Sequence, residues 1–168
     1  MGLRLSEEKT RVVHIDEGFD FLGWRIQRQQ KRGTSKRYVY TYPSKKALLA
    51  VCGRVRTLTQ RSQHLTLTTL LQRINPLLRG WTNYFRHGVS KATFSYLDTF
   101  AWRRTVGWLR RKHHRRNWKW LRRRYLPGWR PTEGRAMLFN PAKVTVSRYH
   151  YRADRIPNPW TSAMATVV

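Results

Sequence analysis

LTTLLQRINPLLRGWTNYFRHG, residues 67–88, decides how the rest of the chain is read. Its apolar residues Leu67, Leu70, Leu71, Ile74, Leu77, Leu78, Trp81, Tyr84 and Phe85 advance by threes and ones. That period lines one face of an α-helix and excludes the alternation of a strand. Pro76 sits inside the run, and it is expected to kink the helix or end it near Asn75. Arg79, Arg86 and His87 punctuate the same stretch. The rings read as staples of a helical core, and the cations as a solvated face or as groups aimed at an anion.

Outward from this segment the helical pattern continues in both directions. Pro43-Ser44 opens an earlier helix with Ser44 as its N-cap. Leu48, Leu49, Cys52, Val55 and Leu58 or Thr59 form its apolar stripe. A third helix is expected from Ser90 or Lys91 to about His113, with Phe94, Leu97, Ala101, Thr105, Trp108 and Leu109 inward. A shorter one, 117–125, carries Trp118, Leu121 and Tyr125 inward and stops at Pro127-Gly128-Trp129. Before the helices, 11–15 and 19–26 read as short strands separated by a turn, and YVYTY, residues 38–42, as another, joined by the basic loop of QRQQKRGTSKR. Beyond 126 the text becomes irregular, with one expected strand at 144–151 and a loose tail at the end. The fold class is mainly α with a small β portion: short N-terminal strands, a three- to four-helix bundle and an irregular basic C-terminal arm. The expected divisions are 1–42, 43–125 and 126–168.

Charge is the chain's most unusual property. Its 168 residues contain 35 Lys+Arg against 8 Asp+Glu, a formal net charge of +27. At 40% hydrophobic residues it can still bury a core, so it is not a disordered polycation. Such a surface repels itself unless a polyanion balances it, which makes nucleic acid the expected partner and a membrane surface the competitor. Arginine outnumbers lysine 26 to 9. Its planar fork can stack on unpaired bases as well as bind phosphate, which leans toward RNA. No apolar run reaches the length of a membrane span, and the single Cys52 provides neither a disulfide nor a thiolate zinc site. These features imply a reducing, cytoplasmic setting without a membrane.

The acids do not assemble a catalytic site. Phosphoryl transfer needs carboxylates converging on a divalent cation. Asp16, Glu17 and Asp20 fall at a turn, where solvated turn formers are common. Asp98 is better placed to pair with a neighbouring arginine, or to cap polar contacts between helices, than to hold metal. His113-His114 has no cysteine or carboxylate nearby and reads as part of the basic face. We therefore expect no catalytic residues, no metal site and no cofactor. RRKHHRRNWKWLRRRY, residues 110–125, carries nine Lys/Arg in sixteen residues with rings interleaved. It reads either as a solvated face or as a polyanion site whose affinity falls steeply with salt. Within it Trp118 fits the helix interior, whereas Trp120, and Trp129 beyond it, are candidates for stacking on a base.

Three blocks carry a family resemblance. Residues 2–26, GLRLSEEKTRVVHIDEGFDFLGWRI, resemble the end of the palm of a group II intron reverse transcriptase. PSKKAL at the start of the first helix, LLQRINPLLRGWTNYFRHG in the second and FSYLDTFAWRRTVGWLRRKH in the third resemble that family's thumb, also called domain X or the maturase domain. LFNPAKVTVSRYHYRADRIPNPW is similar to the family's closing segment. The resemblance implies a thumb-like bundle that binds structured group II intron RNA, helps it fold and splice, and lines an RNA/DNA template-primer duplex. The family's catalytic YADD-type carboxylates and its cysteine-rich endonuclease have no counterpart in these residues. The implied alternatives are a structural RNA-binding protein, or the thumb subunit of a split enzyme completed by a separately encoded palm and fingers chain. The RNA-contacting residues expected on this basis are Arg28, Lys31, Arg32, Lys36, Arg37, Lys45, Lys46, Arg79, Arg86, His87, Arg103, Arg104, Arg110, Arg111, Lys112, Arg115, Arg116, Lys119, Arg122, Arg123, Arg148 and Arg152.

Overall fold

The structure is a computed structural model and describes residues 12–60 and 63–147. Strands β1 (Phe19–Phe21), β2 (Trp24–Gln30) and β3 (Arg37–Pro43) form an antiparallel sheet in that order. Helices α1 (Lys45–Gln60), α2 (Leu67–Phe85), α3 (Lys91–Lys112) and α4 (Trp118–Tyr125) follow. A two-stranded hairpin, β4 (Thr132–Glu133) with β5 (Ala136–Met137), comes after them. The class is mainly α with a small β portion, as the sequence indicates.

Helix α2 is the axis of the body. Leu67, Leu70, Leu71, Ile74 and Leu78 are buried along it in one cluster with Val51, Cys52 and Val55 of α1 and Leu97, Ala101, Trp108 and Leu109 of α3, while Phe85 is buried beside Trp81 and Trp24. Of the two outcomes expected of Pro76, an end near Asn75 does not occur, and one helix runs through the proline. The proline lies on the exposed side, where the Gln72 carbonyl it deprives of a helical donor can turn to water. The apolar stripe on the other side continues past the proline, with Ile74 and Leu78 both fully buried. Threonines fill several buried positions with their hydroxyls satisfied. The hydroxyls of Thr59, Thr82 and Thr105 each donate to the carbonyl four residues earlier, at 2.8–2.9 Å.

Helix starts agree with the sequence. Ser44 Oγ accepts from the Ala47 amide at 3.1 Å, and Thr66 and Asn117 cap α2 and α4 in the same way. The N-terminal strands differ from expectation. Residues 12–15 form no strand, because His14 already closes a turn by accepting from the amides of Glu17 and Gly18. The run 19–26 is a hairpin, not one strand: Leu22 and Gly23 turn between paired Phe21 and Trp24 with φ of 48° and 82°. A two-residue turn of that hand needs positive φ at both places, which Gly23 supplies freely and Leu22 under strain. In α1, Leu49 is 61% exposed and Val51 takes the inward position instead. Residues 144–147 are not a strand, and the remainder of that expected strand, with the tail, lies outside the described residues.

The sheet joins the helices through rings. Trp24 meets Phe85 edge-on at 4.7 Å and Tyr84 at 5.9 Å, while Tyr84 Oη donates to the Leu22 carbonyl at 2.8 Å. Tyr84 is thus a clasp on the surface, not a core residue. Gly88 makes this junction feasible: a Cβ there would fall 2.2 Å from the Trp24 ring and 2.7 Å from Thr41 O.

Residues 126–147 pack back over the helices. Leu138 is fully buried, Asn75 donates to Met137 O and accepts from the Phe139 amide, and Lys91 Nζ reaches Ala142 O. Among the described residues, no helix is long and apolar enough to cross a membrane.

Candidate nucleic-acid interface

With so few carboxylates, this chain has to hold many of its cations on something else. Backbone carbonyls take that place. The C-terminal end of α1 presents unpaired carbonyls at the negative pole of the helix. Arg104 of α3 donates Nε to Thr59 Oγ1 at 3.0 Å and reaches Arg56 O, and Arg111 donates to Thr59 O at 2.9 Å. Lys112 Nζ bridges Gln63 O and Leu65 O at 3.0 and 2.6 Å. Burial, with the neighbouring Arg111 and Arg56 charges, pushes the Arg104 guanidinium below its ordinary value. Arg104 and Arg111 brace α3 against the end of α1, and Lys112 ties it to the connection between α1 and α2.

Several of the described acids are committed as well. Asp98 on α3 forms a forked pair with Arg130 at 2.5 and 3.2 Å, and the same guanidinium donates to the carbonyls of Leu138 and Phe139. This is the arginine partnership anticipated for Asp98. It locks the C-terminal hairpin onto the bundle, and Arg130 was not among the residues singled out in sequence. Glu133 caps the first turn of α2, accepting from the Thr68 amide at 2.7 Å. A carboxylate at that pole is favourable. Asp16 accepts from Arg28 Nε and NH2 at 2.6 and 2.8 Å, and the guanidinium holds its carboxyl down to about 2. Among the described residues, no group of three or more His, Cys, Asp or Glu could hold a metal ion.

The other expected contact residues occupy several surfaces. Lys31, Arg32 and Lys36 ring the β2–β3 loop, with Arg37 at the start of β3, 3.7 Å from Asp16. An open groove of about 440 Å³ runs from Lys31 past Tyr38 and Tyr40 to His87, bringing together residues far apart in sequence. Lys45 and Lys46 stand in the first turn of α1, a pole that disfavours cations unless an anion joins them. Arg79 is exposed and lies over the Phe139 ring at 5.3 Å, whereas Arg86 is half-buried at the end of α2. Arg103 and Arg110 share an outer face of α3, seven residues apart.

The densest region is 110–124. Arg110, Arg115, Arg116, Lys119, Arg122 and Arg123 are all exposed. Arg116 lies over Trp120 at 5.3 Å and Arg122 over Trp129 at 4.2 Å. Trp118 is not the inward residue expected of it, and Trp120 is the more covered of the two. Trp120 packs against His113 at 5.3 Å and Tyr125 at 5.9 Å, while Trp118 is 42% exposed. Leu121 and Tyr125 do face inward, and these two rings lie on opposite flanks of that stripe. Which flank is covered depends on His113, whose ring stacks on Tyr125 at 5.2 Å. Burial and the Lys112 charge lower the affinity of His113 for a proton. Arg148 and Arg152 lie outside the described residues.

Comparison with known proteins bears directly on this body. Residues 49–126 match the family described as group II intron, maturase-specific domain. That interval runs from the first turns of α1 to the end of α4. Protein YkfC of Escherichia coli (strain K12) is 44% identical over 47 residues, which is 28% of this chain and 12% of that protein. The chain therefore spans a small part of the length of the curated relative it matches. The part of the chain that resembles a group II intron maturase-specific domain, residues 49–126, is therefore the four-helix body with its carbonyl-held arginines and its exposed basic ridge.

Proposed function

We propose that this chain binds structured group II intron RNA and assists its folding and splicing. The observation that carries the reading is the coincidence of the family match with a rigid body whose exposed cations concentrate on α3, α4 and the turn between them. An A-form backbone is recognised through phosphates and 2′-hydroxyls, which a basic ridge on a stiff scaffold suits. Asp98 and Glu133 are occupied in holding the fold, so the reading gives the described residues no polymerase chemistry. Filter binding across a salt series tests it, with a group II intron transcript and an unrelated transcript of equal length. The proposal expects tighter binding of the intron at every salt concentration. Equal affinity for the two would reduce the chain to a generic polycation.

A thumb-subunit reading has one observation in its favour. Phe21 and Leu22 at the tip of the first hairpin are 57% and 70% exposed, apolar, and strained at Leu22. A separately encoded palm chain would cover them. Primer extension by a mixture of palm and this chain decides, and no gain over palm alone ends that reading.

A further inference from the structure

The outer surface of α4 and the turn after it carry a feature that phosphate binding does not explain. Trp129 is 52% exposed and adopts φ of 63°, a left-handed conformation that favours glycine. Its neighbour Gly128 shares that conformation at 57°. A bulky ring held out to water on strained backbone is disfavoured twice over, by exposure and by torsion. Packing fixes it there nonetheless. Trp102 Nε1 donates to the Trp129 carbonyl at 2.7 Å, and the Trp129 amide donates to Leu126 O at 3.1 Å. The Arg122 guanidinium lies over its ring at 4.2 Å. One turn earlier on the same face of α4 stands Trp118, the other exposed ring. Ring, guanidinium and ring thus lie along one ridge, with Arg115, Lys119 and Arg123 beside them.

We propose that Trp129, backed by Arg122 and flanked by Trp118, is a stacking platform for an unpaired nucleobase of the bound RNA. The inference rests on the RNA-binding reading above and adds to it a ligand feature, a bulged or looped base. Duplex offers its phosphates but keeps its base faces stacked, so it cannot use this site. An unpaired base can lie on an aromatic face in any sequence context. Arg122 has two functions in this arrangement: it orients the indole, and it supplies a charge for the phosphate next to the base. The membrane alternative is less favoured, since the surrounding ridge is densely arginine-rich and the two rings form no broad apolar face.

The test uses the full chain and two RNA hairpins of equal length and charge, one fully paired and one with a single unpaired purine. Wild type should bind the bulged hairpin about tenfold more tightly, within the range for one stacked base. Trp129→Ala should lose that preference and leave binding of the paired hairpin within about twofold. Trp129→Phe should keep most of the preference. Trp129→Gly separates function from folding, because glycine relieves the left-handed strain. It should melt no lower than Trp129→Ala and still lose the preference. Equal binding of both hairpins by wild type would overturn this inference alone, as would a Trp129→Ala variant that weakens both equally. Absence of salt-dependent binding to either RNA would overturn the RNA-binding reading and this one with it.

Discussion

Replacing Gly88 by alanine should disconnect the sheet from the helices. The added Cβ would lie 2.2 Å from the Trp24 ring, more than an ångström inside ordinary contact, and 2.7 Å from Thr41 O. Trp24 cannot retreat freely, since Phe85 meets it at 4.7 Å on one side. Overpacking of this kind costs about 2–3 kcal/mol. For a chain of this size that corresponds to a fall in Tm of roughly 5–10 °C. Urea unfolding followed by far-UV circular dichroism, on protein freed of nucleic acid, measures it. Trp24→Ala as a second substitution removes the ring contact but leaves the Thr41 approach. In that background Gly88→Ala should cost only about 1 kcal/mol, a coupling of about 1–2 kcal/mol. Additive losses would refute the reasoning, because they would show that the glycine is not there to admit the indole.

Other predictions follow from the same contacts. Asp98→Asn leaves the Arg130 guanidinium, 16% exposed, with carbonyls as its only acceptors, and should cost about 2–3 kcal/mol in thermal or urea unfolding. Gly80 is exposed in mid-helix with nothing within 4 Å of an added Cβ, so Gly80→Ala should stabilise by about 0.5–1 kcal/mol in the same assay. Asp16 titrates near about 2 when folded, below its ordinary value of 3.8. The stabilisation from its pairing with Arg28 is therefore complete above about pH 4 and is lost as pH falls toward 2. Unfolding midpoints measured down this range should drop in wild type by more than in Asp16→Asn.

The helical part of this fold is legible in sequence because its signal is local. Phe94, Leu97, Ala101, Thr105, Trp108 and Leu109 all lie inward on α3, as their spacing dictates. Errors arise where a long-range neighbour decides. Trp118 and Trp120 sit on two flanks of one stripe, and only the position of His113 tells which is covered. Pro76 fails to end α2 because tertiary packing outweighs a single lost hydrogen bond on the solvent side. Leu138 lies in the short apolar run Ala136 to Phe139, too brief to show a period, so nothing in the sequence tells which of the four is fully buried. For the interface, total charge shows that a polyanion is the expected partner. It does not distinguish Arg104 and Arg111, spent on helix carbonyls, from Arg110 and Arg115, which face solvent. That distinction depends on where the end of α1 lies in space.

We infer that the arginines and lysines of this chain divide into a set that holds the fold and a set offered to RNA. That division is tested most directly by comparing two glutamine variants for Tm and for the salt dependence of binding to a group II intron transcript. Arg110, Arg115, Lys119 and Arg123 are replaced together in one, and Arg104 with Arg111 in the other. The first should keep its Tm while the slope of log affinity against log salt becomes shallower by about three, and the second should lose Tm with little change in slope. An unchanged slope in the first variant, or a Tm that falls equally in both, would contradict the division.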